Sequence, residues 1–225
     1  MTAVPETTAG EIAEAARIIT GAGLVEAFGH VSARTPPGLG AGFMITATRP
    51  LGAAGPQDVH GVDADGNAVE GAGDVPLEAP MHAAVYAARD DVNAICRTHS
   101  PAAVRAGARG EVPPLVHGLG GLTGEVGICG RTDLVTDAEA GAEIADELGS
   151  ADCLLIRGNG SIATGRSLAE AVVRARYLEE RCLVGEGLKA RDGWRAVELD
   201  PRSRWFEKET TRAWAWLRWR YGGDS

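Results

Sequence analysis

The sequence has no run of about 18 apolar residues, the least that a membrane-spanning helix needs. Its first residues, Met1 to Ala16, lack the basic start and apolar stretch of a secretory signal, so a cytoplasmic protein is expected. There is no Cys-x-x-Cys pair. The four cysteines, Cys96, Cys129, Cys153 and Cys182, are widely spaced and read as reduced, mostly buried thiols. Positive charge is in deficit: 22 Lys and Arg stand against 31 Asp and Glu, a net charge of −9. That argues against nucleic acid and anionic membrane as partners, and leaves a small anionic substrate open. No internal repeat or low-complexity linker breaks the 225 residues, so one domain over 1–225 is expected. Three further signals are incomplete. A hydrolase elbow of the form Gly-x-Ser-x-Gly is missing. Asp63-x-Asp65-Gly66-Asn67 starts like a calcium loop, but its glycine is misplaced and no glutamate closes it. Gly158-Asn159-Gly160 follows a strand, yet the next element also reads as a strand, so no helix N-terminus is there for a phosphate.

What is present alternates between helical and strand periodicity. A helix is expected from Thr8, where Thr8 and Glu11 fit a capping box. Ile12, Ala15, Ala16 and Ile19 recur at helical spacing, and Gly21 and Gly23 end the run. Strands are expected at 43–46, 92–98, 153–156 and 162–164, with a hairpin over 59–69 turning at Asp65-Gly66. Helices are expected over 78–89, 137–148 and 167–189, the last with a capping box at Ser167 and Glu170. The order lacks strict βαβ alternation, so a mainly antiparallel or mixed sheet with helices is the fold class. The segment 201–221 is rich in Trp and Arg, residues favoured at buried interfaces. It reads either as a terminal helix docked on its own core or as a subunit contact.

The most informative stretch is Ala94-Ile95-Cys96-Arg97-Thr98-His99-Ser100-Pro101. A strand that ends in Arg97 and His99 projects both side chains to one face. Cys96 points to the other. This is the layout of a His-x-His metal claw with arginine at its first position.

Taken with other pieces, it resembles the class II aldolase/adducin family. The pieces are Gly29-His30-Val31-Ser32-Ala33-Arg34, Ile45-Thr46, Val62-Asp63-Ala64-Asp65-Gly66-Asn67, Glu78 with Met81-His82, Thr98-His99-Ser100-Pro101, and Leu155-Ile156-Arg157-Gly158-Asn159-Gly160 with Gly165. The resemblance runs from about Glu11 to about Cys182. It implies a three-layer α/β/α fold on a central, mainly antiparallel sheet. It also implies a homotetramer with active sites between subunits, and a divalent metal held by three histidines beside an acid/base glutamate. Such a metal stabilises an enolate as a Lewis acid. Of that set, this chain keeps His99, the third position, and Glu78, where the glutamate is expected. Arg97 and Asn159 stand where two histidines would be. Arginine repels a cation and asparagine is a poor zinc ligand.

Catalysis is therefore assigned to Glu78, Arg97, His99 and Asn159, without a cofactor. His99 and Glu78 would be the ligands if zinc, manganese, iron or cobalt bound. His30, Ser32, Arg49, His82 and His117 are candidate substrate-binding residues. The phosphate cradle of the family's phosphosugar aldolases is replaced by His30, Arg49 and Pro76-Leu77, which disfavours a sugar phosphate. Gly-His-Val-Ser-Ala-Arg resembles instead a branch containing decarboxylases of hydroxylated aromatic or keto acids. On this reading Arg97, with His30 and Arg49, clasps a carboxylate bidentately, Asn159 donates a second hydrogen bond, and His99 or Glu78 moves the proton. Decarboxylation, dehydration or enolisation without metal follows, in secondary metabolism, and Arg97→Ala should abolish activity with the fold intact. Two other readings stay open: a metal-dependent decarboxylase or aldolase with rearranged ligands, and a pseudoenzyme with a structural or regulatory role.

Overall fold

The computed structural model describes residues 6–36, 42–69 and 72–223. Among these residues, seven strands form one sheet: β1 (His30–Arg34), β2 (Phe43–Thr46), β3 (Val59–Val62), β4 (Ala94–Thr98), β5 (Val126–Cys129), β6 (Cys153–Ile156) and β7 (Ser161–Gly165). Their order is β3-β2-β1-β4-β7-β6-β5. Every neighbouring pair is antiparallel except β5 with β6. Helices α1 (Glu6–Gly21), α2 (Ala79–Ala88), α3 (Pro101–Arg109), α4 (Ala138–Leu148), α5 (Leu168–Val184), α6 (Ala196–Ser203) and α7 (Phe206–Tyr221) complete the chain.

Residues alternate across each strand, so the two sheet faces carry separate cores. Val31, Met44, Cys96, Leu155 and Ala163 pack with α1, α3, α5 and α7. Phe43, Ile45, Ile95, Leu154 and Ile162 pack with α2 and α4. The result is the expected three-layer α/β/α arrangement. Because both faces are covered, a central strand such as β6 (Cys-Leu-Leu-Ile) reads as an unbroken apolar run rather than as alternation.

Local chemistry sets the element ends. Asp137 caps α4 by accepting from Ala140 N, and Ser167 caps α5 by accepting from Glu170 N. The Glu170 carboxylate reaches back to Arg166 N rather than to the cap itself. Helix α1 extends beyond Thr8 toward the N-terminus, so Thr8 lies inside it and does not cap it. Helix α5 stops at Val184 instead of running to Lys189, because Gly185 caps it and Gly187 takes a positive φ of 79°. The 59–69 hairpin is tight: the Asp63 carboxylate accepts from Asp65 N and Asn67 N, Asp63 N donates to the Asn67 carbonyl and Val69 N to that of Gly61, and Val62 bridges Ala68. The Trp/Arg-rich segment docks on its own core through Ala213 and Leu217 of α7, leaving Trp216 and Trp219 exposed. All four cysteines are buried and unpaired. No described helix is long and apolar enough to cross a membrane.

Candidate active site

Strands β1 and β4 place His30 opposite Arg97 and Ser32 opposite Ile95. Cross-strand partners share a face, and here that face lies under α2. Glu78 sits at the N-cap of α2, and His82 and Tyr86 follow at four-residue steps. Such spacing stacks the three side chains along one side of a helix. The helix thus lays Glu78, His82 and Tyr86 directly over His30 and Ser32.

Hydrogen bonds join them into one chain. His30 Nε2 lies 3.3 Å from Glu78 Oε2, and His30 Nδ1 lies 2.7 Å from His82 Nε2. His82 Nδ1 lies 2.7 Å from Ser32 Oγ, which lies 2.7 Å from the Tyr86 hydroxyl. The rings also pack together: His82 stacks on Phe43, and Phe43 contacts Tyr86.

Arg97 is 0% exposed. Its Nε donates to Glu78 Oε2 at 3.1 Å. Its Nη1 donates to the carbonyls of Asn159 at 2.6 Å and Thr98 at 3.1 Å. Arg97 Nε and Nη1 are thus engaged from inside the protein, and Nη2 makes one long contact, 3.5 Å to Glu78 Oε1, so the carboxylate that Arg97 meets in this structure is that of Glu78. Asn159 contributes its backbone carbonyl to Arg97, in the turn between β6 and β7. Burial on its own would raise the Glu78 carboxyl. The hydrogen bond from His30 and the Arg97 charge outweigh it and hold the group well below the usual carboxylate range. Burial pushes His30 down against the raising effect of its Glu78 partner, and burial pushes His82 well down, with the charges of His30, when protonated, and of Arg97 adding to it. Burial raises the Tyr86 hydroxyl.

His99, just past β4, is half-buried. Burial and the Arg97 charge bring it to about 4, so it is neutral at physiological pH. Two expected residues lie away from this group. The Arg49 side chain is 69% exposed and pairs with Asp58 at 2.9 Å. His117 pairs with Glu180 of α5, in the opposite helix layer. Tyr86 was not singled out from the sequence. Its signal there is the spacing of four from His82 and eight from Glu78. Phe28 and Leu77, two residues before His30 and one before Glu78, are 75% and 74% exposed.

Among the described residues, no three His, Cys, Asp or Glu side chains are grouped to hold a metal ion. A permanent cation stands at the claw's first position, and the Glu78 carboxylate is already engaged by it. This donor set does not fit a tightly held divalent metal.

The model for the "Class II Aldolase and Adducin N-terminal domain" matches residues 10–184. A 3,4-dihydroxyphthalate decarboxylase of Arthrobacter keyseri is 30% identical over 186 residues, 73% of this chain and 71% of that protein. The enzyme of the same name from Rhodococcus jostii (strain RHA1) is 28% identical over 190 residues, 75% of each chain. In structure, an aldolase II superfamily protein from Pseudomonas syringae superposes with a TM-score of 0.79 at 20% identity, over 96% of this chain and 92% of that one. An L-fuculose 1-phosphate aldolase superposes with a TM-score of 0.78 at 19% identity, over 90% and 97%. With a family model matched across most of its length, this chain belongs to the class II aldolase and adducin family.

Proposed function

We propose that this protein is a lyase that decarboxylates a small hydroxylated aromatic or keto carboxylic acid without a bound metal. Family membership and the decarboxylase-named relatives support lyase-type activity. The observation that carries the metal-free reading is the buried Arg97–Glu78 pair at the family's metal position.

Arg97 takes the metal's place as the fixed positive charge of the site, acting through Glu78. Decarboxylation breaks one C–C bond, leaves its electron pair on the substrate, releases carbon dioxide and forms a C–H bond in its place. A proton must therefore reach that carbon. A carboxylate held as low as Glu78 keeps a proton only briefly. It can shuttle a proton from a substrate hydroxyl to the carbon that bears the carboxylate, giving a keto tautomer; loss of carbon dioxide then leaves the broken bond's electron pair on that hydroxyl oxygen as an enolate, which takes a proton from water. Hydroxyl groups on the substrate supply the activation that a Lewis acid otherwise gives. Neutral, half-buried His99 meets the substrate's polar groups, and Phe28 and Leu77 flank its apolar face. A neighbouring subunit of a homotetramer would close the pocket over these two side chains.

The test is a screen of hydroxylated aromatic and keto acids for carbon dioxide release, with and without chelator. Turnover unaffected by chelator is expected. Glu78→Gln should lower kcat by roughly 10²–10⁴-fold, the usual contribution of a general acid–base group. A Glu78→Gln variant with full turnover would sink this mechanism.

A further inference from the structure

We propose that Tyr86, Ser32, His82 and His30 form a one-directional relay that pins Glu78 Oε2 and leaves Oε1 as the atom that exchanges the proton. The proposal rests on Glu78 as the proton-transfer group.

The direction follows from counting donors and acceptors. An ionised carboxylate only accepts, so His30 must present Nε2–H to Glu78. A neutral imidazole carries one proton, so His30 Nδ1 then accepts, and His82 must present Nε2–H to it. His82 Nδ1 accepts in turn, so Ser32 donates to it, and Tyr86 donates to Ser32. Every donor points toward Glu78. The reverse direction sets a lone pair of His30 against the carboxylate and leaves the buried Tyr86 hydroxyl with no acceptor in the chain. All members are buried, and an unpaired polar group there is costly.

The two oxygens of Glu78 end up unlike each other. Oε2 accepts from Arg97 Nε at 3.1 Å and from His30 Nε2 at 3.3 Å. Among the described residues, Oε1 has a single long contact, 3.5 Å from Arg97 Nη2. Its lone pairs are the available ones. Arg97 and His30 both hold Oε2, and His30 is fixed by the three residues behind it. Ser32, His82 and Tyr86 are thus positioning residues that act on Glu78 without touching the substrate.

The first measurement is long-range ¹⁵N–¹H NMR on the whole protein labelled at histidine, at neutral pH. Neutral, Nε2-protonated rings are expected at both His30 and His82. An Nδ1–H tautomer or an imidazolium at either ring overturns the relay. In Ser32→Ala the His82 tautomer is released, so the His30 signals, which Ser32 does not touch, should move. His30 signals left unchanged in that variant also overturn it. With an acid that the wild type turns over, Ser32→Ala and Tyr86→Phe should lower kcat roughly tenfold and leave KM within about twofold, a transition-state effect. Unchanged kcat overturns the positioning role. If the wild type turns over no acid, the lyase reading fails, and the NMR result still decides the relay.

Discussion

Arg97 Nε meets Glu78 Oε2 at 3.1 Å, linking the penultimate residue of β4 to the N-cap of α2. Neither partner can be removed alone without cost, because the other stays buried and uncompensated. Arg97→Ala should destabilise the protein by about 3–5 kcal/mol. That reverses the expectation from sequence that the variant folds intact. Arg97→Met with Glu78→Gln removes both charges together and should recover most of the loss, because coupled neighbours are not additive. Urea denaturation of the two single variants and the double variant checks this. Additive losses would show that the pair is not coupled.

The same position decides metal binding. Arg97→His combined with Asn159→His removes the cation and adds two imidazoles beside His99 and Glu78. Three nitrogens and a carboxylate are what a tetrahedral zinc site accepts. Elemental analysis should find about one zinc per chain in the double variant and little in the wild type. Near-stoichiometric metal in the wild type, lost on His99→Ala, would favour rearranged ligands over the metal-free mechanism.

Acid should destabilise the fold early. The pKa values of His30, His82 and His99 are all lowered in the native state, His99 to about 4. The unfolded chain then binds more protons than the native one below pH about 6.5. The stabilisation is complete above that pH and is lost as pH falls through the native values. Each histidine adds a slope of at most ~1.4 kcal/mol per pH unit. Glu78, also lowered, adds its own loss below pH about 4.3. Denaturant midpoints from pH 8 to 4 should fall steeply below pH 6, and His99→Asn should flatten the curve. A flat wild-type profile down to pH 5 would contradict neutral buried rings.

The layers were legible in the sequence because apolar runs and caps mark them: 43–46, 153–156 and the Ser167 cap appear where expected. Elements β1, β5, α3 and α6 were not. In β1, His30 and Ser32 occupy core positions, so its buried face does not look apolar. In β5, Gly127 interrupts the run; a Cβ there would meet Leu154 Cδ1 at 3.0 Å, so the strand packs tightly without a side chain. Helix α3 begins with Pro101 and ends at left-handed Gly110, both helix signals, but with four alanines in nine residues and Val104 its one larger apolar side chain it shows no apolar stripe to read. For the site, residue identity at the claw gave Glu78, Arg97 and His99. Spacing could not show that Arg97 turns inward to Glu78 and the carbonyls of Thr98 and Asn159. Nor could it show that Arg49 pairs with Asp58, since both outcomes need only a nearby charge.

Gly160 holds the other wall of the Arg97 site. It has a φ of 80°, and a Cβ there would lie 2.1 Å from the Thr98 carbonyl and 3.0 Å from Arg97 Nη1. Gly158, in the same turn, has a φ of 67° with open space around its Cβ position. Alanine at either pays the left-handed backbone penalty, roughly 1–3 kcal/mol. Only Gly160→Ala must also push apart Thr98 and the turn whose Asn159 carbonyl receives Arg97. Its stability loss should exceed that of Gly158→Ala, and it alone should lower turnover, because the guanidinium that holds Glu78 would shift. Denaturation midpoints and kcat for the two variants give the comparison. Equal losses in both would mean that the turn, and not its approach to Arg97, is what glycine preserves.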